Sequence, residues 1–176
     1  MQLISARRCW VTAMVMITLL LLQGGAGANT SSDKTDLTNL VSGLYKKYAW
    51  VVLFSPSPLT DSAPLTHASY KELQEFFVPD LAKAIWNDTQ CKVKRGETGV
   101  LDFDILFDSQ DPSASGLTVQ SGGKESEAVV CFEVYSGDRK CLLYIGKRFN
   151  DAFLIYDIRY PAQPSLREML GLVNES

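Results

Sequence analysis

Three strand-like runs between Glu127 and Pro161 constrain the fold of this chain more than any other feature. They read AVVCFEVY, KCLLYIGK and DAFLIYDIRYP, and very few residues separate one run from the next. Strands joined by such short connections pair as antiparallel neighbours. The sequence therefore predicts an antiparallel meander over residues 127–161.

The turn between the first two runs sets their predicted register. A two-residue turn at Gly137-Asp138 would pair Val134 with Cys141 and Phe132 with Leu143. Since side chains alternate along a strand, this register predicts a core face and an opposite, mixed face that could line a pocket. The core face holds Val130, Phe132, Val134, Cys141, Leu143 and Ile145, and the mixed face holds Val129, Cys131, Glu133, Tyr135, Leu142 and Tyr144.

The same register decides the predicted disulfide. Beyond the N-terminal region the cysteines are Cys91, Cys131 and Cys141. The register places Cys131 and Cys141 on opposite faces, where they cannot bond. Cys91 must then be one end of any bridge, and we expect its partner to be Cys141, on the core face.

Helical patterns precede the meander. Apolar residues recur at helical spacing from Leu37 to Val52, with Thr35 as the expected N-cap after a polar leader at 29–35. Ser69 and Glu72 have the spacing of a capping box, and Pro79 suits the first position of a further helix that reaches residue 87.

Two shorter elements complete the predicted fold. A first short strand is expected at 116–120, and a capping box at Ser165 and Glu168 predicts a short C-terminal helix. Helices followed by a run of strands indicate an α+β fold. We expect N-terminal helices packed on a curved antiparallel sheet of about four strands, forming a half-open cone that could hold a pocket.

The N-terminus has the pattern of a secretory signal peptide. Arg7 and Arg8 precede an apolar run at 10–22 and the small residues Ala26-Gly27-Ala28. We expect cleavage near Ala28, one domain over 36–176, no membrane span after cleavage, and a periplasmic or secreted protein. No cysteine directly follows the small residues, so a bacterial lipid anchor is not expected.

Charge and motifs narrow the classes of partner. The net charge is −3, and the predicted signal segment carries two arginines and no acid. An acidic chain is a poor ligand for nucleic acid or for anionic membranes. The cysteines and the single histidine, His67, match no metal-binding spacing, and the SGGKES turn lacks the spacing of a phosphate loop. We expect neither a metal nor a cofactor.

The acidic segment 99–112 raises the question of a calcium site. Leu106 and Phe107 occupy places where a calcium loop needs oxygen ligands or glycine. The acids are therefore predicted to cap short turns. The candidate pocket or interaction residues are Asp104, Tyr144, Tyr156 and Asp157, although Asp157 could also face solvent from its strand.

Two segments resemble those of exported bacterial proteins that carry the domain of unknown function 3828. The closing strand Phe153–Tyr160, with 165–170, is similar to that family's aromatic-x-Ile-x-Asp-Ile strand and Leu-rich last turn, and 101–111 is similar to its D-x-D … Q-D stretch. The resemblance implies a cystatin-like or nuclear-transport-factor-like cone in the periplasm. The chain departs from the family in having Phe153 where Trp is usual, and it lacks the lipid-bearing cysteine of some members.

These observations favour a non-enzymatic exported protein that binds an envelope protein or a small ligand. A narrower alternative is an immunity or inhibitor protein directed at a periplasmic toxin or hydrolase. A second alternative is a small lyase or isomerase, in which a buried carboxylate such as Asp104 or Asp157 acts as the base and Tyr144 or Tyr156 stabilises an enolate. His67 is a weaker candidate for the base because it lies in a proline-rich loop.

Overall fold

One antiparallel sheet forms the centre of the fold. The computed structural model describes residues 30–53, 65–95, 99–149 and 152–172, so the predicted signal peptide lies outside the described residues. The sheet has the order β1-β2-β3-β4. Its strands are β1 (Ala114–Ser121), β2 (Glu127–Val134), β3 (Arg139–Phe149) and β4 (Ala152–Arg159). The predicted α+β class and the meander are confirmed.

Helices lie before and after the sheet in the chain. They are α1 (Thr30–Tyr48), α2 (Trp50–Leu53), α3 (Tyr70–Leu73), α4 (Pro79–Arg95) and α5 (Leu166–Met169), with a 3-10 turn at Leu65–His67. Helix α1 begins earlier than the predicted cap at Thr35, because the polar residues 30–35 continue the helix. Both predicted capping boxes are confirmed, at the starts of α3 and α5.

The core lies between helix α1 and one face of the sheet. Leu37, Val41, Leu44 and Tyr45 recur at helical spacing and are buried against the strands. The sheet contributes alternate residues of its central strands, as a two-residue period requires. These are Ala128, Val130 and Phe132 from β2 and Leu142 and Tyr144 from β3.

A short segment covers the β4 edge of the sheet. Phe77 forms an isolated parallel bridge with Ile155. The Val78 N–H donates to the Ile155 carbonyl at 3.0 Å, and the Ile155 N–H donates to the Phe76 carbonyl at 2.8 Å. Because an edge strand exposes unpaired backbone groups, this bridge satisfies part of the edge and joins α3 to the sheet.

The predicted β2–β3 register is wrong. Strands β2 and β3 are joined by a three-residue loop, Tyr135–Gly137, whose ends are closed by hydrogen bonds from Gly137 N–H to the Val134 carbonyl (2.8 Å) and from Val134 N–H to the Asp138 carbonyl (2.9 Å). Gly137 has a φ of 82°, which glycine adopts readily. The strands therefore shift by three residues relative to the two-residue turn, and Cys141 pairs with Cys131 rather than with Val134.

An odd shift in register turns every side chain of β3 to the other face. Leu142 and Tyr144 are therefore in the core, while Cys141, Leu143 and Ile145 lie on the face opposite α1. The assignments of Val130 and Phe132 to the core hold, since β2 itself keeps its orientation.

The predicted Cys91–Cys141 disulfide is wrong for the same reason. Cys131 and Cys141 form a disulfide, and their Cα atoms are 4.1 Å apart. Alternate pairs of an antiparallel ladder bring the Cα atoms of opposite residues to about 4.5 Å, which suits a bridge between them. The three-residue loop leaves the room for this direct pairing that a two-residue turn does not.

Candidate functional site

A shallow groove on the face of the sheet opposite α1 is the candidate functional site. We call it the open-face groove; its volume is about 680 Å³. Binding sites for small molecules commonly measure about 300–1,000 Å³. Its lining comes from the β2–β3 hairpin and from the end of β4, namely Val134, Asp138, Arg139, Lys140, Cys141, Leu143, Arg159, Tyr160 and Pro161.

Strand register brings the floor of the groove together. Cys141 and Leu143 are two residues apart on β3 and point to the same face. Leu143 is paired with Val129 on one side and with Arg159 on the other. The floor is therefore apolar, built from the disulfide and the half-buried Leu143 side chain, and Arg159 stands beside it.

Two arginines supply positive charge at the groove. Arg139 and Arg159 are both exposed, and neither forms an ion pair with a carboxylate among the described residues. Glu133 lies opposite Arg139 in the ladder, but its carboxyl leans towards Gly116 of β1. The Asp138 carboxylate accepts a hydrogen bond from the Ser136 hydroxyl at 2.7 Å.

The third cation at the groove, Lys140, forms hydrogen bonds and an ion pair with Asp108. Its ammonium group donates to the Asp108 carbonyl at 2.8 Å and to the Asp108 carboxylate at 3.0 Å. The Gln163 amide donates to the second carboxylate oxygen. Asp108 is buried and has a φ of 50°, which is uncommon outside glycine. This polar cluster fixes the loop 104–109 against β3 and leaves Arg139 and Arg159 as the cations that face solvent.

An unpacked aromatic residue stands at the tip of the same hairpin. Tyr135 is 95% exposed. Aromatic residues and arginine are enriched at protein interfaces. The exposed ring of Tyr135 therefore adjoins the open-face groove as a second candidate contact surface.

Two of the four candidates from the sequence lie away from the groove: Asp104 is half-buried and Tyr144 is fully buried. The Asp104 carboxylate accepts from the Leu106 N–H at 2.8 Å, as expected for a capping acid, and burial raises the pKa of its carboxyl. It lines a cavity of about 20 Å³, which has room for about one water molecule.

Tyr144 belongs to a buried hydroxyl network. The Tyr45 hydroxyl donates to the Leu106 carbonyl at 2.6 Å and lies 2.9 Å from the Tyr144 hydroxyl. Burial raises the pKa of both phenols, and the Asp104 charge raises them further. Ionised tyrosine is therefore disfavoured here, and the network acts as a satisfied part of the core.

Tyr156 and Asp157 lie near the C-terminal segment, and neither lines the groove. The strand position of Asp157 indicated that its side chain could face solvent, but the residue is buried, with 3% of its surface exposed. One of its carboxylate oxygens accepts from the backbone N–H groups of Ile158 (2.9 Å) and Arg167 (3.0 Å). Burial raises the pKa of this carboxyl, and these donors partly offset the effect.

The Tyr156 ring lies against cations. The Arg167 guanidinium is 4.1 Å from the ring centroid, and the Lys147 ammonium is 5.2 Å from it. Arg167 also pairs with Asp80 at 2.8 Å. Tyr156 therefore packs in a structural cluster at the β4 edge.

Sequence reasoning missed Arg139 and Arg159. Arg159 lies between Ile158 and Tyr160, which is the pattern of a solvated strand position, whereas Arg139 stands in the charged stretch Asp138–Lys140 at the start of β3. The signal that would have found them is the correct hairpin register, because that register turns the face of β3 that carries Arg139, Cys141 and Leu143 away from the core.

The described residues contain no group of three or more His, Cys, Asp or Glu side chains placed to hold a metal ion. None of the helices described is both long and apolar enough to cross a membrane.

Comparison of the chain with protein-family models, with curated proteins and with solved structures finds no match.

Proposed function

We propose that this protein is an exported, non-enzymatic binding protein that holds a partner from the cell envelope in the open-face groove. The observation that carries the proposal is an apolar floor, the Cys131–Cys141 disulfide and Leu143, beside two arginines that form no ion pair among the described residues. Apolar area at the centre with charge at the rim is the usual anatomy of an interface.

The placement of the acids favours binding over catalysis. A lyase or isomerase base must reach its substrate. The cavity beside Asp104 has room for about one water, and Asp157 accepts hydrogen bonds from the backbone at the start of α5. The carboxylate that lines the groove, Asp138, is engaged by Ser136.

The disulfide supports the proposal of export. Structural disulfides form and persist in oxidising compartments such as the periplasm and the extracellular space. Together with the predicted signal peptide at 1–28, the Cys131–Cys141 bridge favours a periplasmic or secreted protein.

The cystatin-like or nuclear-transport-factor-like cone, and the membership of the family with domain of unknown function 3828, are part of the same proposal. A helix lying across one face of a four-stranded antiparallel meander supports it. In such a cone the helix fills the concave side, which leaves the part of the other face that α5 does not cover open to a partner.

Affinity capture from intact envelopes tests the function. The wild type, Leu143→Glu and a control, Lys71→Glu, would be compared, since Lys71 is exposed on α3, outside the lining of the groove. We expect the wild type and the control to recover the same partner and Leu143→Glu to lose it, because the new carboxylate replaces the apolar floor and lies opposite Arg159, where it can occupy that cation.

Circular dichroism would verify that both variants fold. Equal recovery by Leu143→Glu would show that the groove is not the binding site. Recovery of one stoichiometric toxin or hydrolase would identify the narrower role of an inhibitor.

A further inference from the structure

Arg139 and Arg159 at the open-face groove indicate that its partner carries negative charge. We propose that the groove receives an extended, acidic segment of a partner protein, with two carboxylates four residues apart and an apolar side chain midway between them. The proposal rests on the binding function proposed above and specifies the occupant of the same site.

The spacing of the two arginines sets the spacing of the carboxylates. Arg159 pairs with Leu143, and Arg139 precedes Leu143 by four residues on β3. Four residues of a strand span about 13 Å. Carboxylates at positions i and i+4 of an extended segment lie at the same separation of about 13 Å, so each can meet one of the two arginines.

The floor sets the residue between them. Cys141 lies midway between Arg139 and Leu143 on the same face, so the disulfide occupies the centre of the span. In an extended segment the side chains at i, i+2 and i+4 point to one side. The side chain at i+2 therefore contacts the disulfide and Leu143, which an apolar residue matches.

The local charge favours an acidic partner. Neighbouring acids are turned away or engaged: Glu133 leans towards Gly116, and Asp138 binds Ser136. Asp157 lies two residues from Arg159 and interacts with it electrostatically, but its bound oxygen faces backbone N–H groups. Arg139 and Arg159 are thus free to pair with incoming carboxylates.

A protein segment suits the site better than a lipid surface. Binding to anionic membranes needs a cluster of several cations. The groove offers two solvent-facing arginines, and the chain as a whole has a net charge of −3. An extended segment needs only the two charges and the apolar floor.

Synthetic peptides provide the test. The probe is the blocked peptide Gly-Asp-Ser-Leu-Ser-Asp-Gly, titrated into the full mature chain at low salt and followed by NMR chemical shifts. Its controls are the same peptide with lysine in place of both aspartates, and an isomer with the two aspartates adjacent. We expect saturable binding of the probe, about threefold to fivefold weaker binding of the isomer because it can pair with only one arginine at a time, and no binding of the lysine peptide.

Matched variants connect the binding to the arginines. Arg139→Gln and Arg159→Gln should each weaken the binding of the probe about threefold to fivefold, since an exposed ion pair contributes up to about 1 kcal/mol. Lys83→Gln, an exposed cation on α4, should leave binding unchanged. Shifts should concentrate at residues 139–143 and 159.

The outcomes separate this proposal from the function it rests on. If the probe fails to bind, or binds the arginine variants equally well, while Leu143-dependent capture from envelopes persists, the acidic segment is wrong and the binding function stands. If the probe fails and capture from envelopes is also independent of Leu143, the acidic segment and the binding function proposed for the groove are both wrong. Binding of the protein to phosphatidylglycerol vesicles without binding of the probe would assign the arginines to a lipid surface instead.

Discussion

At the scale of single residues, the hydrogen bonds of Tyr45 and Tyr144 predict which of the two hydroxyls contributes more to the free energy of unfolding. Tyr45 donates to the Leu106 carbonyl, so its oxygen accepts from Tyr144. Tyr144→Phe removes one donor and leaves the Leu106 bond intact, whereas Tyr45→Phe leaves both a buried carbonyl and a buried hydroxyl unsatisfied. Urea unfolding should show a loss of about 1 kcal/mol for Tyr144→Phe and about 2–3 kcal/mol for Tyr45→Phe. The reverse order would contradict the assigned direction of the hydrogen bonds.

Asp104 gives a dependence of stability on pH. Burial raises the pKa of its carboxyl in the folded protein, so the folded state binds the proton more tightly than the unfolded state. Its contribution is fully present below the unfolded pKa, about 3.9, and is lost as the pH rises through the higher folded value. Asp104→Asn should therefore gain in melting temperature relative to wild type between pH 4 and 7.

At the scale of elements, the β2–β3 hairpin is held by its disulfide. The bridge joins residues separated by 10 positions. Closing a loop of about this length lowers the entropy of the unfolded chain by an amount worth about 2–3 kcal/mol. The double variant Cys131→Ser, Cys141→Ser should lose that much in urea unfolding.

Peptide mapping tests the pairing directly. Trypsin cleaves after Arg139 and Lys140, so the non-reduced digest should contain one disulfide-linked pair of peptides that separates on reduction. A linkage from Cys91 to either hairpin cysteine would contradict the register.

Strands β3 and β4 and helix α1 pack closely around Gly146, and this contact can also be tested. A Cβ at Gly146 would lie 2.0 Å from a Phe153 ring carbon and 2.9 Å from a Leu37 methyl. Gly146→Ala should cost about 1–3 kcal/mol through overpacking, and Phe153→Leu should restore part of it. Gly43→Ala in α1 is the matched control, because its Cβ meets Phe76 at 3.8 Å and alanine favours a helix by about 1 kcal/mol. It should stabilise the protein or leave it unchanged.

The elements themselves could be predicted because their signals are local. The capping boxes at Ser69 and Ser165 and the proline at the start of α4 each act within one helical turn. The register could not be predicted in the same way, since Gly137 fits both a two-residue turn and the three-residue loop that forms. Which of the two is adopted depends on burying Leu142 and Tyr144 under α1, a contact between distant parts of the chain.

At the scale of the whole molecule, that one register decides which residues form the open-face groove, where we propose that a partner binds. It moves Tyr144 from a candidate pocket into the core and brings Arg139, Cys141, Leu143 and Arg159 to the open face. The sequence therefore supports the fold class well and the candidate site poorly. The burial of Asp157 could not be predicted from the sequence either, because it depends on α5 folding back over β4.

Arg167 joins three elements that are far apart in the chain. It lies in α5, pairs with Asp80 at the start of α4 at 2.8 Å, and stacks on Tyr156 of β4 at 4.1 Å from the ring centroid. Its side chain is 3% exposed, while that of Asp80 is 51% exposed. Burial tends to raise the pKa of the Asp80 carboxyl, but the hydrogen bond and charge of Arg167 outweigh this effect and lower it.

The difference in burial between the two partners predicts unequal losses. Arg167→Ala removes packing on Tyr156 as well as the ion pair, and should cost about 2–3 kcal/mol. Asp80→Ala removes only the ion pair, although it leaves the guanidinium buried, and should cost about 1–2 kcal/mol. In a double-mutant cycle measured by urea unfolding, the coupling between the two should stay near 1 kcal/mol or below. A coupling equal to the whole loss at Arg167 would show that the ion pair, rather than the stacking on Tyr156, holds the C-terminal segment to the sheet.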